Sequence, residues 1–215
     1  MARFLKIVLL SIMLSASVDS PSYAGPHEDA RDAYQRGDYA VAPQIWRALA
    51  DKGSAAGQFN VGRLYEYGEG VPHDNAQAAR WYRKAADQGL AIAQHTLGLM
   101  YFEARLGQED HAAALWWFRK AAEQEFADAQ FQLGAIHLLG LGVREDFAEA
   151  ARWYRRAAIQ GLFFAQPVLG GLYESGQGVL QDFVQAHMWY NISGMDILRD
   201  RIARRMTAGQ VAEAQ

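Results

Sequence analysis

The segment ARWYRKAADQG, from Ala79 to Gly89, returns as ARWYRRAAIQG from Ala151 to Gly161, displaced by 72 residues and changed at two of eleven positions. Seventy-two is twice 36, and a 36-residue shift brings the same residues into register four times. Gln58, Gln94, Gln130 and Gln166 align, as do Gly62, Gly98, Gly134 and Gly170. Trp81, Trp117, Trp153 and Trp189 align, each followed by an aromatic residue (Tyr82, Phe118, Tyr154, Tyr190), and Asp74, Asp110, Asp146 and Asp182 align as well. Four units at one fixed period, with no insertion, specify a solenoid, in which each unit buries its apolar face only by stacking on the next.

Each unit reads as two helices. In the first unit the pattern predicts a helix from about Ala55 to Tyr67, broken by Gly68-Glu69-Gly70-Val71-Pro72, because glycine relaxes a helix end and proline cannot continue it. Asp74 is placed to cap the next helix, which should run to about Gln88 and stop at Gly89, as Gly161 stops its counterpart. Gln77, Glu149 and Gln185 lie three residues after their aspartates, the spacing of a capping box. Gly62 and its equivalents remove bulk so that two helices can cross closely. Ala85-Ala86, Ala121-Ala122 and Ala157-Ala158 do the same on the second helix, while Trp81 and Tyr82 fill the space between.

In the first unit Gln58, Gly62, Tyr65, Gly68, Gly70, Val71, Asp74, Ala78, Trp81, Tyr82, Lys84, Ala85, Ala86 and Gly89 follow a pattern that resembles the Sel-one-like repeats, relatives of the tetratricopeptide repeats. The resemblance covers residues 54–194 and is specific for fold but not for function. It implies an all-α protein, a right-handed α-solenoid of stacked antiparallel helix pairs with a 36-residue period. The expected organisation is a capping unit over 25–53, repeats at 54–89, 90–125, 126–161 and 162–194, and capping helices over 195–215. In that last stretch the charged segment DILRDRIARRM covers the final apolar face, and Thr207 with Gln210 offers another capping box.

Residues 1–24 read as a cleaved signal peptide. Arg3 and Lys6 precede an apolar run from Ile7 to Val18, and Ser22 and Ala24 supply small residues before Gly25. The run is too short for a membrane anchor, and Asp19 interrupts it. Removing this segment takes away Arg3, Lys6 and Asp19, a net +1, and turns a formal charge of -3 on 215 residues into -4 on 191. A mildly acidic chain without a basic stripe is not expected to bind nucleic acid. With no cysteine, an exported chain has neither a disulfide to staple it nor a thiol to lipidate. The expected location is therefore periplasmic or secreted, without membrane insertion after cleavage.

Motifs for chemistry are missing. None of the six histidines (His27, His73, His95, His111, His137, His187) sits four residues from another, and no zinc, nucleophile-elbow, phosphate-loop or dinucleotide motif occurs. No catalytic residue, metal site or cofactor is expected. Arg36-Gly37-Asp38 spells an adhesion tripeptide but reads as a turn, with Asp38 as the equivalent of Asp74.

Where shared residues build a scaffold, function falls to those that differ between units. The resemblance implies that the first helix of each pair lines a concave surface, at positions two before and one, five and eight after the recurrent glutamine. The candidate partner-binding residues there are Phe59, Arg63, Ile92, His95, Leu99, Phe102, Phe131, Leu138 and Phe164, an apolar strip with Glu66 and Glu174 at its two ends. The alternative is that Phe59, Phe131 and Phe164 are core. The second unit departs most: its turn is Ala104-Arg105-Leu106-Gly107, and Trp116 stands where Arg80 and Arg152 stand in its neighbours. Trp116 is then either an exposed interface residue or covered by that turn.

The expected function is a non-catalytic interaction scaffold or adaptor in the cell envelope, possessing a regulatory role there, which binds a protein or peptide. The alternatives are a cell-wall-associated structural protein and a β-lactam-binding hydrolase. The second is disfavoured because the chain lacks the cysteines of the branch so associated and any S-x-x-K motif.

Overall fold

The computed structural model describes residues 26–38 and 40–214. The signal segment read over 1–24 lies outside the described residues. Twelve α-helices and no strand occur among the described residues: α1 (Pro26–Gln35), α2 (Ala42–Asp51), α3 (Ala55–Tyr67), α4 (Asn75–Asp87), α5 (Ala91–Phe102), α6 (His111–Glu123), α7 (Ala127–Leu139), α8 (Phe147–Ile159), α9 (Ala165–Ser175), α10 (Phe183–Ile192), α11 (Asp196–Ala203) and α12 (Ala208–Glu213). The chain forms two compact units, divided between Ala121 and Ala122. In the first, α1 to α5 pack in chain order, and in the second α7 to α11 do the same. Each is a run of α-solenoid built from consecutive helix pairs.

Local chemistry sets the boundaries. Ser54 accepts the Gly57 N–H at the start of α3, and Gly68 ends that helix in the left-handed region at φ +71°. Gly140 and Gly176 end α7 and α9 in the same way. Asp74 accepts the N–H groups of Ala76 and Gln77 at 2.9 and 3.0 Å, and Asp146 those of Ala148 and Glu149 at 3.0 and 2.9 Å. Asp110 and Asp182 cap α6 and α10 through Ala113 and Gln185. The reciprocal arm of a capping box forms at Thr207 and Gln210. Glu149, at the same spacing from Asp146, meets Arg152 at 3.2 Å. Arg36 and Gly37 form the turn after α1, and Asp38 accepts the Val41 N–H at 3.2 Å.

Packing follows the repeat. The rings of Tyr82, Phe118, Tyr154 and Tyr190 are buried, each against the glycine twenty residues before it. The recurrent glutamines are buried too, and they have a job that composition does not disclose. Gln94 Nε2 donates to the Ala86 carbonyl at 3.0 Å, Gln130 to Ala122 at 3.2 Å and Gln166 to Ala158 at 3.5 Å. Each ties a first helix to a carbonyl at the end of the helix before it, one that also accepts a backbone N–H of the following turn. In the first unit the core runs in two clusters, around Trp46, Val61 and Leu64 and around Tyr82, Leu97, Met100 and Trp117. In the second unit Phe131, Leu133, Ile136, Tyr154, Leu169 and Ile202 are fully buried.

Candidate partner-binding faces

In the first unit the candidate residues on α3 and α5 divide by depth. Phe59, Arg63, Ile92, Leu99 and Phe102 are half-buried and keep part of their side chains at the surface. Phe59 leans on Tyr82, with ring centroids 5.2 Å apart, and Phe102 on His111, also at 5.2 Å. The Arg63 guanidinium lies 5.8 Å from the rings of both Tyr34 and Tyr67, which fixes its direction. His95 does not belong to this face. It is 8% exposed, its ring lies 5.6 Å from Phe118, and burial pushes its pKa down to about 4, so it is a neutral core residue at pH 7.

In the second unit α7 and α9 carry the rest. Leu138 is half-buried and Phe164 is 40% exposed. Phe131 is fully buried, 5.4 Å from the Tyr154 ring, and has no surface to offer a partner. The core reading of the phenylalanines thus holds for Phe131, while Phe59 sits between core and surface. Phe163, beside Phe164 at 5.7 Å and half exposed, enlarges the surface patch. The doubled phenylalanine in the sequence was the available signal for it.

The two acidic residues expected to bound the strip are not open negative charge. Glu66 accepts from the Tyr82 hydroxyl and from Arg105, and its side chain is almost wholly covered. Arg105 also meets Glu103 at 2.6 Å. Burial raises the Glu103 pKa, and Arg105 opposes that shift. In the second unit Glu174 accepts from Tyr190 at 2.7 Å and from Arg201 at 2.6 Å. Both carboxylates are consumed in holding helices and turns together. The irregular turn of the second repeat therefore reaches back to Glu66.

Trp116 is left at the surface, 50% exposed, as are Arg80 and Arg152 at the equivalent positions. It stands edge-on to Trp117 at 4.3 Å, with the Lys120 ammonium 4.3 Å from its ring. No group of three or more histidine, aspartate or glutamate side chains among the described residues could hold a metal ion, and no described helix is long and apolar enough to cross a membrane.

An all-helical array of matching pairs, with its shared residues spent on packing and several of its differences, Trp116 and Phe164 among them, left at the surface, defines a repeat scaffold. The chain belongs to the Sel1 repeat family, which matches residues 55–90, 91–126, 127–162 and 165–195. Among solved structures it is similar to c5321, a protective antigen present in uropathogenic Escherichia coli strains displaying an SLR fold, at 37% identity over 88% of this chain with a TM-score of 0.75. The match covers 43% of that protein, so this chain spans less than half its length. A Sel1 repeat protein from Oxalobacter formigenes is similar at 30% identity over 89% of this chain and 81% of that one, with a TM-score of 0.74. No curated protein matches the chain.

Proposed function

We propose that the chain is a non-catalytic protein–protein interaction scaffold of the cell envelope, exported by its N-terminal segment, that engages a partner protein or peptide with the side chains in which its repeats differ. Sel1 repeat scaffolds generally mediate protein–protein interaction, which supports the class. Trp116 carries the specific reading: a 50% exposed tryptophan at a position where two sister repeats place arginine. Its ring touches Trp117 and Lys120, but the sister repeats do without an aromatic there, and tryptophan is enriched among the residues that carry interface energy. The first-helix faces supply further contacts through Phe59, Arg63, Ile92, Leu99 and Phe102 in the first unit and Leu138 and Phe164 in the second. Export is supported by Arg3 and Lys6, the apolar run to Val18, and the small residues Ser22 and Ala24. The antigen role of the E. coli relative agrees with an envelope or secreted location.

The test is capture from envelope extract with the chain from Gly25 as bait, beside Trp116→Arg and Phe164→Asp variants. Trp116→Arg restores the residue of the first and third repeats, so folding should be untouched. A partner retained by the parent chain and lost by either variant supports the reading. A partner held equally by all three removes both residues from the interface.

A further inference from the structure

The second unit holds a basic cleft that lies on another helix from the faces described above. The exposed side of α8 and the turn after α9 enclose about 560 Å³, walled by Arg152, Arg155, Arg156 and Trp153 with Gly178 and Val179 opposite. The far wall is firmly seated. A β-carbon on Gly178 would lie 2.1 Å from the Phe147 carbonyl carbon, so the turn rests directly on the start of α8.

The three arginines are positioned without being used up. Arg155 donates to the Tyr173 hydroxyl, and Arg156 to Glu125 at 2.6 Å and the Ala122 carbonyl at 3.3 Å. Arg152 meets only Glu149, at 3.2 Å, with its side chain 78% exposed, a pairing that solvent leaves weak. A guanidinium has five N–H donors, and these contacts take one or two from each. Trp153 lines the cleft beside them. It is 8% exposed, the Arg156 guanidinium lies 4.7 Å from its ring, and its indole N–H is buried with no acceptor.

Three cations face one carboxylate, Glu149, on the walls of this cleft, in a chain whose formal charge is -3. The third repeat alone carries arginine at all three positions. The first has Arg80, Arg83 and Lys84, the second Trp116, Arg119 and Lys120, and the fourth Met188, Asn191 and Ile192. Arginine's planar fork suits carboxylates, where lysine offers only a point charge. A nucleic acid would need cations along many phosphates, and here they occupy little more than one helical turn. The walls also include Ala148, Ala151 and Val179, apolar surface that a peptide's other side chains can cover and a bare oxyanion cannot.

We propose that this cleft binds an acidic peptide segment of a partner protein, with Arg152 and Arg156 taking its carboxylates beside the Trp153 ring. The proposal rests on the interaction-scaffold reading but names a surface on which that reading does not depend.

The experiment follows the tryptophan indole N–H resonances of the full chain by NMR. The probe is a pool of octapeptides with Glu or Asp at half the positions and Leu, Val or Phe at the others. A matching Gln/Asn pool and inorganic phosphate are run in parallel, and Trp153→Phe assigns the signal. The acidic pool should shift the Trp153 resonance saturably, the amide pool should not, and Arg152→Gln with Arg156→Gln should weaken binding at least tenfold. No saturable shift with the acidic pool overturns the proposal, as does an equal response to phosphate, which would mark a site for free oxyanions. If the double variant loses its helical signal, Arg152→Glu alone decides. Its side chain is exposed, so it should fold and still weaken binding at least threefold, and unchanged affinity overturns the assignment. A partner captured through Trp116 or Phe164 by a chain that ignores the acidic pool would leave the scaffold reading standing and remove this cleft from it.

Discussion

Gly62 on α3 and Tyr82 on α4 meet backbone to ring: a β-carbon on Gly62 would lie 2.6 Å from two carbons of the tyrosine. The same approach recurs between Gly98 and Phe118 at 2.7 Å, Gly134 and Tyr154 at 2.9 Å, and Gly170 and Tyr190 at 2.9 Å. All four aromatic rings are buried, so none can swing aside cheaply. Gly62→Ala should therefore push the two helices apart and cost about 1–3 kcal/mol, the range for overpacking a filled core. Denaturant unfolding checks it, and a midpoint equal to the parent's would show that the ring accommodates a methyl group.

The partner of each ring hydroxyl sets a second test. Tyr82 and Tyr190 donate to Glu66 and Glu174, each sixteen residues earlier. At the same spacing Phe118 faces Phe102 and needs no partner. Tyr154 has Leu138 at that spacing, and its hydroxyl is buried with no acceptor. Tyr154→Phe should thus stabilise the chain by about 1 kcal/mol, whereas Tyr190→Phe should cost about 1.5–3 kcal/mol by stripping a hydrogen bond from a carboxylate. Thermal or denaturant melts of the two variants should move in opposite directions, and a loss in both would refute the account of Tyr154.

These pairings show what the sequence could and could not disclose. The helix ends at Tyr67 and Asp87, the aspartate caps and the glycine-to-ring crossings were legible, because each follows a local rule and the caps and crossings recur in all four repeats. The depth of the first-helix residues was not. Phe59, His95 and Phe131 occupy one repeat position, yet Phe131 is fully buried, His95 nearly so and Phe59 only partly, because burial is decided by the neighbouring helix and not by the period. The acidic ends misled for a related reason. Glu66 and Glu174 look like free rims until Arg105 and Arg201, 39 and 27 residues later, come back to meet them.

The irregular turn of the second repeat invites a stabilising change. Ala104 stands where the other repeats have Gly68, Gly140 and Gly176, and it keeps their left-handed backbone, at φ +57°. An alanine held there costs roughly 1 kcal/mol that glycine does not. Ala104→Gly should raise the melting temperature by about 2–4 °C, the shift expected for 1 kcal/mol in a chain of this size. No gain would mean that the left-handed turn is not held in solution.

His95 should make stability depend on pH between 6.5 and 4. Burial lowers its folded-state pKa to about 4. The unfolded chain takes up a proton near 6.5, and the folded chain does so only near 4, so stability present above pH 6.5 is lost as the pH falls through this window. At 1.36 kcal/mol per unit the loss amounts to roughly 3 kcal/mol. Glu103 and Asp128 act in the opposite sense, because burial raises both carboxyls and the folded state then gains as they protonate. Phe59 and Phe131 hold the equivalent position in the neighbouring repeats, which makes His95→Phe the natural control. Denaturant midpoints of the parent and His95→Phe at pH 7, 5.5 and 4.5 should diverge as the pH falls, with the variant the flatter of the two. Parallel curves would mean that His95 is protonated in the folded chain and that its pocket is open to water.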